Sequence, residues 1–351
     1  MSRPAPAALV TTADLVGDGL FLKHQRQHDC SDCGHSYLDA DPGTAGAHAR
    51  WLRVGGGTIV ASTDGPLREL HILPHCGTEL TPDLLAATDP VDFTNLAQLV
   101  HDNLDLGTAA IYRHLVEDIV AGRAPGVAVA GFHLSRILLD ANRVHVHEQV
   151  PPAPYAGNAG LYREYHLSEG SRLREEQLLP WLAAVDEVLR DMGEWGSVYH
   201  HHTYDVYSLS PRPWDRGFTA KRPAFQLIWR RPPVDRAGDH VADGDPGLAR
   251  LEDVEDVRNG IRDFLEREIG VGNGTGQIDY PLLLPVLPFR GTRRGDPADS
   301  PRHLVYDLRK DLLATDRQIR SWVDIAPWRL PEPAPAEVVS VPDAVPAGSP
   351  S

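Results

Sequence analysis

Residues 110–140 of the chain, AIYRHLVEDIVAGRAPGVAVAGFHLSRILLD, indicate the fold class. Residues 110–120 have the pattern of a helix, and Gly122 is a natural helix end. The apolar run Val127–Phe132 follows and is typical of a strand. A helix followed directly by an apolar strand is the unit from which α/β proteins are built.

The same alternation continues on both sides of this stretch. Further strands are predicted at 59–62, 69–73, 136–140, 198–202, 225–229 and 303–308. Further helices are predicted at 93–106, at 173–192 with Pro180 inside, at 253–269, and from the last strand through residue 322. The mixture predicts a three-layer α/β fold, in which a mixed, mostly parallel sheet carries helices on both faces. Binding groups in such folds gather at the carboxyl ends of the strands.

The two ends of the chain are rich in proline and alanine. We expect residues 1–15 to form a flexible N-terminus, 16–326 a single α/β domain, and 327–351 a disordered tail. The formal net charge is −15, which argues against nucleic acid and anionic membranes as partners, because both need a basic face. The sequence leaves the oligomeric state open.

Cysteine content and hydropathy bear on the compartment. No run of about 18 apolar residues suggests a membrane span, and the first residues do not resemble a secretory signal. The three cysteines, Cys30, Cys33 and Cys76, fit a reducing compartment, so we expect a cytoplasmic protein. Cys30 and Cys33, with His28 and His35 beside them, could form a structural zinc site, although a second separated pair is missing. We interpret Cys76 as a buried, inert thiol.

The 17 histidines direct attention to metal chemistry. The segment 74–79, PHCGTE, follows a predicted strand, so His75 could enter a cleft and bind a divalent metal with Glu79 nearby. A turn with a surface histidine is the alternative. The segment 199–205, YHHHTYD, has His200 and His202 on one side of a strand, and one of them could complete the site. The alternative for this segment is a histidine-rich turn at the surface.

Two further segments combine charge with apolar strands. The segment 135–143, SRILLDANR, delivers Arg136, Asp140, Asn142 and Arg143 around an apolar run, either to hold a carboxylate or as a structural ion pair. The segment 303–311, HLVYDLRKD, contains Asp307, which could be a general base for metal-bound water. The simpler interpretation is that Asp307 caps a helix or forms a salt bridge with Arg309.

Together and in this order, these segments resemble the N-formylglutamate amidohydrolase family, which is similar in architecture to zinc carboxypeptidases and aspartoacylases. The segment 135–143 resembles the family's S-R-x-x-x-D-x-N-R motif, and 74–78 resembles its P-H-x-G-T motif. The segment 200–204 resembles its D-x-H-S segment, and 306–309 its late E-x-R/K strand. The resemblance covers roughly residues 55–325 and implies hydrolysis of a formyl or acyl amide next to a carboxylate.

The resemblance also implies a ligand set. His75 and His202 would bind a divalent metal, zinc or alternatively iron. The third ligand would be Asp92, which resembles the family's D-W dipeptide, or Glu79.

The remaining implied roles concern substrate and catalysis. Arg136, Asn142 and Arg143 would hold the carboxylate of a small-molecule or peptide substrate, with Arg136 also polarising its carbonyl. Thr203 stands at the family's serine, and Asp307 would activate water.

Two departures from the family pattern motivate a second hypothesis. His200 stands where the family has an acidic residue, and Asp307 is one methylene shorter than the family's glutamate. The alternative to an enzyme is therefore a catalytically inactive binding or accessory protein on the same fold, which recognises an acidic metabolite or peptide.

Overall fold

A computed structural model describes residues 47–77, 79, 105, 107–136, 141, 174–192, 196–204, 224–228, 251–271, 276–277, 302–309, 312–313 and 315–332. The strands are β1 (Ala49–Val54), β2 (Gly57–Ser62), β3 (Glu69–Leu73), β4 (Val127–Phe132), β5 (Ser197–Tyr204), β6 (Phe225–Ile228), β7 (Gly276–Gln277) and β8 (Arg302–Arg309). The helices are α1 (Thr108–Val120), α2 (Leu179–Met192), α3 (Leu251–Phe264) and α4 (Asp316–Ile325). A π-helical turn, Arg174–Leu178, precedes α2, and another, Leu265–Ile269, follows α3.

All eight strands form one mixed sheet in the order β1-β2-β4-β3-β5-β8-β6-β7. The four central strands, β4, β3, β5 and β8, are parallel to their neighbours within this group. The hairpin of β1 and β2 is antiparallel to β4 at one side, and β6 is antiparallel to β8 at the other. The carboxyl ends of the four central strands therefore meet at one edge of the sheet, where polar groups can converge.

Helices cover both faces of this sheet. One face packs against α1, α3 and α4, with Leu115, Ile261 and Trp322 in the shared core. The opposite face packs against α2 through Trp181 and Val185. The expected three-layer α/β fold, with a mixed sheet that is parallel at its centre, is confirmed.

A glycine allows α2 to pack closely on the sheet, and local cap residues determine where α1 and α4 begin. A Cβ at Gly57 would lie 2.4 Å from the Trp181 ring, so α2 can pack closely only because this position has no side chain. Gly107 has φ of 88° and begins α1 in the left-handed region. Thr315 and Gln318 form a reciprocal capping box at the start of α4, which fixes where that helix begins.

The apolar patterns predicted most of the described helices and strands, and the predicted bounds differ from the observed ones by a few residues. The helix predicted at 173–192 is divided into a π-helical turn and α2, and Pro180 is the second residue of α2, directly after that turn. Strand β1 was not predicted, because it lies at the sheet edge and Ala49 is its only fully buried residue, so it lacks an apolar run. Residues 93–104 and 137–140 lie outside the described residues, so the helix and strand expected there stay predictions.

The chain continues to pack beyond residue 326. Trp328 and Leu330 belong to the core on the α1, α3 and α4 side and are 1% and 3% exposed. The backbone N–H of Leu330 donates to the Tyr199 hydroxyl at 3.1 Å. Residues 327–332, which we expected at the start of the tail, therefore close one side of the sheet. In the part of the chain that the structure describes, no helix is long and apolar enough to cross a membrane.

Four of the buried histidines in or directly after the central strands have lowered pKa values. Burial lowers the pKa of His71, while nearby Glu69 opposes that effect. Burial, followed by neighbouring imidazoles, holds the pKa values of His200 and His201 well below their usual range. Burial, with a smaller effect of Arg53, lowers the pKa of His133 to about 3. All four imidazoles are therefore neutral in the folded protein at neutral pH.

His133 gives a test of this pH dependence. The unfolded chain takes up a proton near the ordinary histidine pKa of 6.5, whereas the folded protein does so only near 3. Stability is therefore lost as the pH falls below about 6.5, and His133 alone accounts for about 2 kcal/mol at about pH 5. We predict that His133→Leu unfolds with a shallower loss of stability between about pH 7 and pH 5, measured by urea denaturation. The difference at about pH 7 reports packing alone, and an equal slope in both proteins would contradict the prediction.

Candidate metal centre

His75 and His202 meet at the carboxyl ends of neighbouring parallel strands. His75 follows β3, which ends at Leu73, and lies in a turn. His202 is the sixth residue of β5, and both side chains are buried. Their ring centroids lie 5.2 Å apart in an edge-to-face arrangement. The two segments that the sequence singled out for metal binding are thus adjacent in space.

The carboxylate that joins the two histidines belongs to Asp105. His75 Nδ1 lies 3.2 Å and His202 Nδ1 3.1 Å from the same oxygen, Oδ2. Asp105 precedes α1, and its backbone carbonyl accepts hydrogen bonds from the N–H and the hydroxyl of Thr108. This turn at the start of α1 holds the carboxylate at the sheet edge.

Charge and hydrogen bonding compensate the burial of Asp105, which is 3% exposed. Burial alone would raise its pKa, but His75, His202 and Arg136 together hold the pKa well below the usual range. Arg136 NH1 lies 3.3 Å from Oδ1, and the backbone N–H of Thr203 donates to Oδ2 at 3.3 Å. Asp105 is therefore a buried anion surrounded by donors.

The donor set fits a divalent cation. His75, Asp105 and His202 each offer one ligand atom, and these atoms all lie within 4.8 Å of one another. A tetrahedral zinc ion holds its nitrogen and oxygen ligands roughly 3.3 Å apart, close to the two observed N–O distances. The two imidazole nitrogens that face Asp105 and the shared carboxylate oxygen thus supply two nitrogen donors and one oxygen donor for such an ion.

Asp307 lies beside this group on the neighbouring strand. It is directly opposite His202 in the parallel register of β5 and β8, so both side chains leave the same face of the sheet. Gln226 on β6 is opposite Asp307 in turn and is 2% exposed. The row His202, Asp307 and Gln226 thus extends from the His–Asp–His group across three strands.

The other residues expected at the site are placed differently. Glu79 is buried and bridges Leu134, where its backbone N–H donates to the carbonyl of His133, but it is not a member of the His–Asp–His group. The Thr203 hydroxyl is buried and lacks a hydrogen-bond partner among the described residues.

Several expected residues lie outside the described ones: Asp92, Asn142, Arg143, and the cysteines Cys30 and Cys33. Cys76 is described, and burial raises the pKa of its thiol to about 12, so it carries no thiolate at neutral pH. This agrees with its interpretation as an inert thiol.

Asp105 is the member of the group that sequence reasoning did not consider. The helix predicted at 93–106 included Asp105, whereas the structure has Asp105 outside any helix and Gly107 as the N-cap of α1. An acidic residue just before a helix start is a recognisable signal, because the helix dipole favours negative charge there. That signal would have added Asp105 to Asp92 and Glu79 as a third-ligand candidate.

The fold and the site together define an α/β protein with a candidate metal centre at the carboxyl edge of its parallel strands. No protein-family model and no curated protein matches the chain. Among solved structures, N-formylglutamate amidohydrolase from Ralstonia eutropha JMP134 is similar, with a TM-score of 0.46 and 16% identity over 78% of this chain and 97% of that one. Succinylglutamate desuccinylase from Chromobacterium violaceum has a TM-score of 0.34 and 10% identity over 82% of this chain and 73% of that one. At such values neither likeness carries weight for the substrate of this chain.

Gly77 tests how tightly the His75 turn is held. A Cβ at this position would lie 1.8 Å from the carbonyl oxygen of His133, a backbone atom that cannot move aside. We predict that Gly77→Ala lowers the free energy of unfolding by about 3 kcal/mol or more, measured by urea denaturation. Gly65→Ala is the control, since its Cβ meets nothing within 4 Å and only its φ of 83° opposes the change. Equal losses in the two variants would contradict the close approach at Gly77.

Proposed function

We propose that this protein is a metal-dependent amidohydrolase, which cleaves the formyl or acyl amide of a carboxylate-bearing amino acid or peptide. The observation that carries the proposal is the buried His75–Asp105–His202 group, whose members all offer ligand atoms within 4.8 Å. The group has three protein ligands, whereas a structural zinc site is closed by four, which supports a catalytic metal. The position of Asp307 beside the group supports the same role.

His75, Asp105 and His202 would hold the cation, zinc or alternatively iron. A divalent cation with an open position polarises a carbonyl and lowers the pKa of water to about 7. Arg136 contacts Asp105 Oδ1, which keeps Oδ2 turned toward the two imidazoles. The chain's own residues would thus fix the orientation of all three ligand groups before substrate arrives.

Asp307 would act as the general base. It would accept a proton from the attacking water as the water oxygen bonds to the amide carbon. The same proton would then pass to the amide nitrogen as the C–N bond breaks, which releases a carboxylic acid and an amine. The register that puts Asp307 opposite His202 supports this assignment.

Recognition of the substrate carboxylate would involve arginine. Arg136 is one-fifth exposed and reaches the site through Asp105, so its guanidinium borders the proposed ligand group. Asn142 and Arg143 would contribute as the resemblance of segment 135–143 implies, and the buried hydroxyl of Thr203 could donate to the substrate. A paired carboxylate fits the fork geometry of arginine.

Metal content tests the centre directly. We predict about one zinc or iron per chain in the wild type by elemental analysis, and its loss in His75→Ala, Asp105→Ala and His202→Ala. Glu79→Gln is the matched control, because Glu79 is an equally buried carboxylate outside the group. It should retain the metal.

The same experiment can overturn the proposal. A wild type that binds no zinc, iron or other divalent ion after reconstitution would exclude the hydrolase. Loss of metal in Glu79→Gln but not in Asp105→Ala would move the third ligand to Glu79. Metal that survives all three alanine substitutions would point to the pair Cys30 and Cys33 instead.

Asp307 separates catalysis from binding. We predict that Asp307→Asn retains the metal but lowers kcat for N-formyl or N-acyl amino acids by about 10²- to 10⁴-fold, because the amide cannot accept the proton. Release of amine from a panel of such substrates is the measurement. Metal-loaded wild type that binds an N-acyl amino acid without turnover would instead favour the binding or accessory protein.

A further inference from the structure

A continuous line of five side chains crosses the sheet on the face that packs against α1, α3 and α4. Trp322 Nε1 donates to the Tyr306 hydroxyl at 3.2 Å, and that hydroxyl contacts His201 Nδ1. His201 Nε2 lies 2.9 Å from His71 Nδ1, and His71 Nε2 faces Glu69 Oε2 at 3.6 Å. The last contact is electrostatic rather than a full hydrogen bond. Four of the five residues are at most 1% exposed.

This line joins the three strands that carry the proposed site. His71 belongs to β3, which leads into His75, and His201 belongs to β5 directly before His202. Tyr306 belongs to β8 directly before Asp307. Because side chains alternate along a strand, His201 and Tyr306 leave the sheet on the face opposite to His202 and Asp307.

The donor end fixes the direction of the hydrogen bonds. Tryptophan can only donate, so the Tyr306 oxygen accepts from Trp322. Among the described contacts of the Tyr306 hydroxyl, His201 Nδ1 is the one that can accept its hydrogen, so we assign Nδ1 as the acceptor. A neutral imidazole that accepts at Nδ1 carries its proton on Nε2, and His201 therefore donates to His71 Nδ1.

The acceptor end requires the same direction. A carboxylate only accepts, so the nitrogen of His71 that faces Glu69 carries the proton. His71 Nδ1 then accepts from His201, as the donor end demands. Arg329 holds Glu69 in place through its Nε, 3.0 Å from Oε1. One arrangement of protons thus serves the three hydrogen bonds from Trp322 to His71 and turns the Nε2–H of His71 toward the Glu69 carboxylate.

Aromatic packing shields this line from water. The Trp328 ring lies 5.0 Å from His71 and 5.4 Å from His201, both nearly edge-to-face. Tyr199 stacks on His71 at 5.3 Å. A hydrogen bond in such a dry setting is strong, and an unpaired group there is costly, so the three strands resist sliding past one another.

We propose that His71, His201 and Tyr306 are positioning residues for the metal centre, acting by fixing β3, β5 and β8 laterally so that His75, His202 and Asp307 keep their spacing. This inference rests on the proposed metal centre. His201 is the middle member, since it alone bonds to both neighbouring strands. Ligand groups need their geometry held to within about 0.5 Å, and the fixed proton arrangement supplies that constraint from behind the site.

The test compares two conservative changes in the same core. Tyr306→Phe removes the hydroxyl that links His201 to Trp322. Tyr199→Phe removes a similarly buried hydroxyl on the same face, which accepts from the backbone N–H of Leu330, also interacts with the Ser197 side chain, and lies outside the line. Zn²⁺ affinity is measured by competition with a chromophoric chelator, and the visible absorption of the Co²⁺-loaded protein reports ligand geometry.

We expect Tyr306→Phe to weaken Zn²⁺ affinity about tenfold and to alter the Co²⁺ spectrum. Tyr199→Phe should lose a similar amount of thermal stability and keep both wild-type values. If Tyr306→Phe lowers Tm but leaves affinity and spectrum unchanged, the hydroxyl is only structural and the inference is overturned while the metal centre stands. A wild type that binds neither ion overturns the proposed function and the inference together.

A second readout needs no metal. In protein with ¹⁵N-labelled histidine, His71 and His201 should both appear as neutral tautomers protonated at Nε2. Tyr306→Phe should shift the His201 nitrogens toward a mixture of tautomers, whereas Tyr199→Phe should not. Protonation of His201 at Nδ1 in the wild type would overturn the proposed hydrogen-bond direction.

Discussion

The carboxylate of Asp105 is buried at the carboxyl edge of the sheet, where an unpaired negative charge would be strongly destabilising. Its partners come from four places: the turn after β3, the end of β5, the backbone of that same strand, and the segment after β4. The carboxylate can be stable only when α1, β3, β4 and β5 are assembled. The candidate metal centre and the centre of the fold therefore depend on one another.

Strand β5 carries polar groups on both faces, which is unusual for a fully buried central strand. On one face His202 contributes to the ligand group, and on the other His201 is bonded to both neighbouring strands. His201 bonds to residues of both neighbouring strands, and His202 bonds to Asp105 in the turn before α1. These buried groups are paired only when the strands are in the observed register, so their pairing favours that register. The register in turn determines which residues meet at the site.

Apolar patterning predicted the architecture well, since burial of whole strands is visible locally. The run Val127–Phe132 was identified as a strand because each of its residues is apolar or small, and the structure buries all six. His75 and His202 could be proposed together because both stand at strand ends, which parallel strands bring to one edge. Asp105 could not be found in this way, since it lies in a turn and not at a strand end. It is separated by 30 residues from His75 and by 97 from His202.

The sequence by itself determined the α/β class, the central strands and the histidines at their ends, because periodicity and strand polarity are local properties. Only the tertiary structure decided that Asp105 joins those histidines and that Asp307 stands opposite His202. It alone also revealed the line from Trp322 to Glu69, whose central pair, His71 and His201, is separated by 130 residues. The physical reason is that strand register and loop closure, which select partners across the sheet, are set by packing of the whole domain rather than by any local pattern.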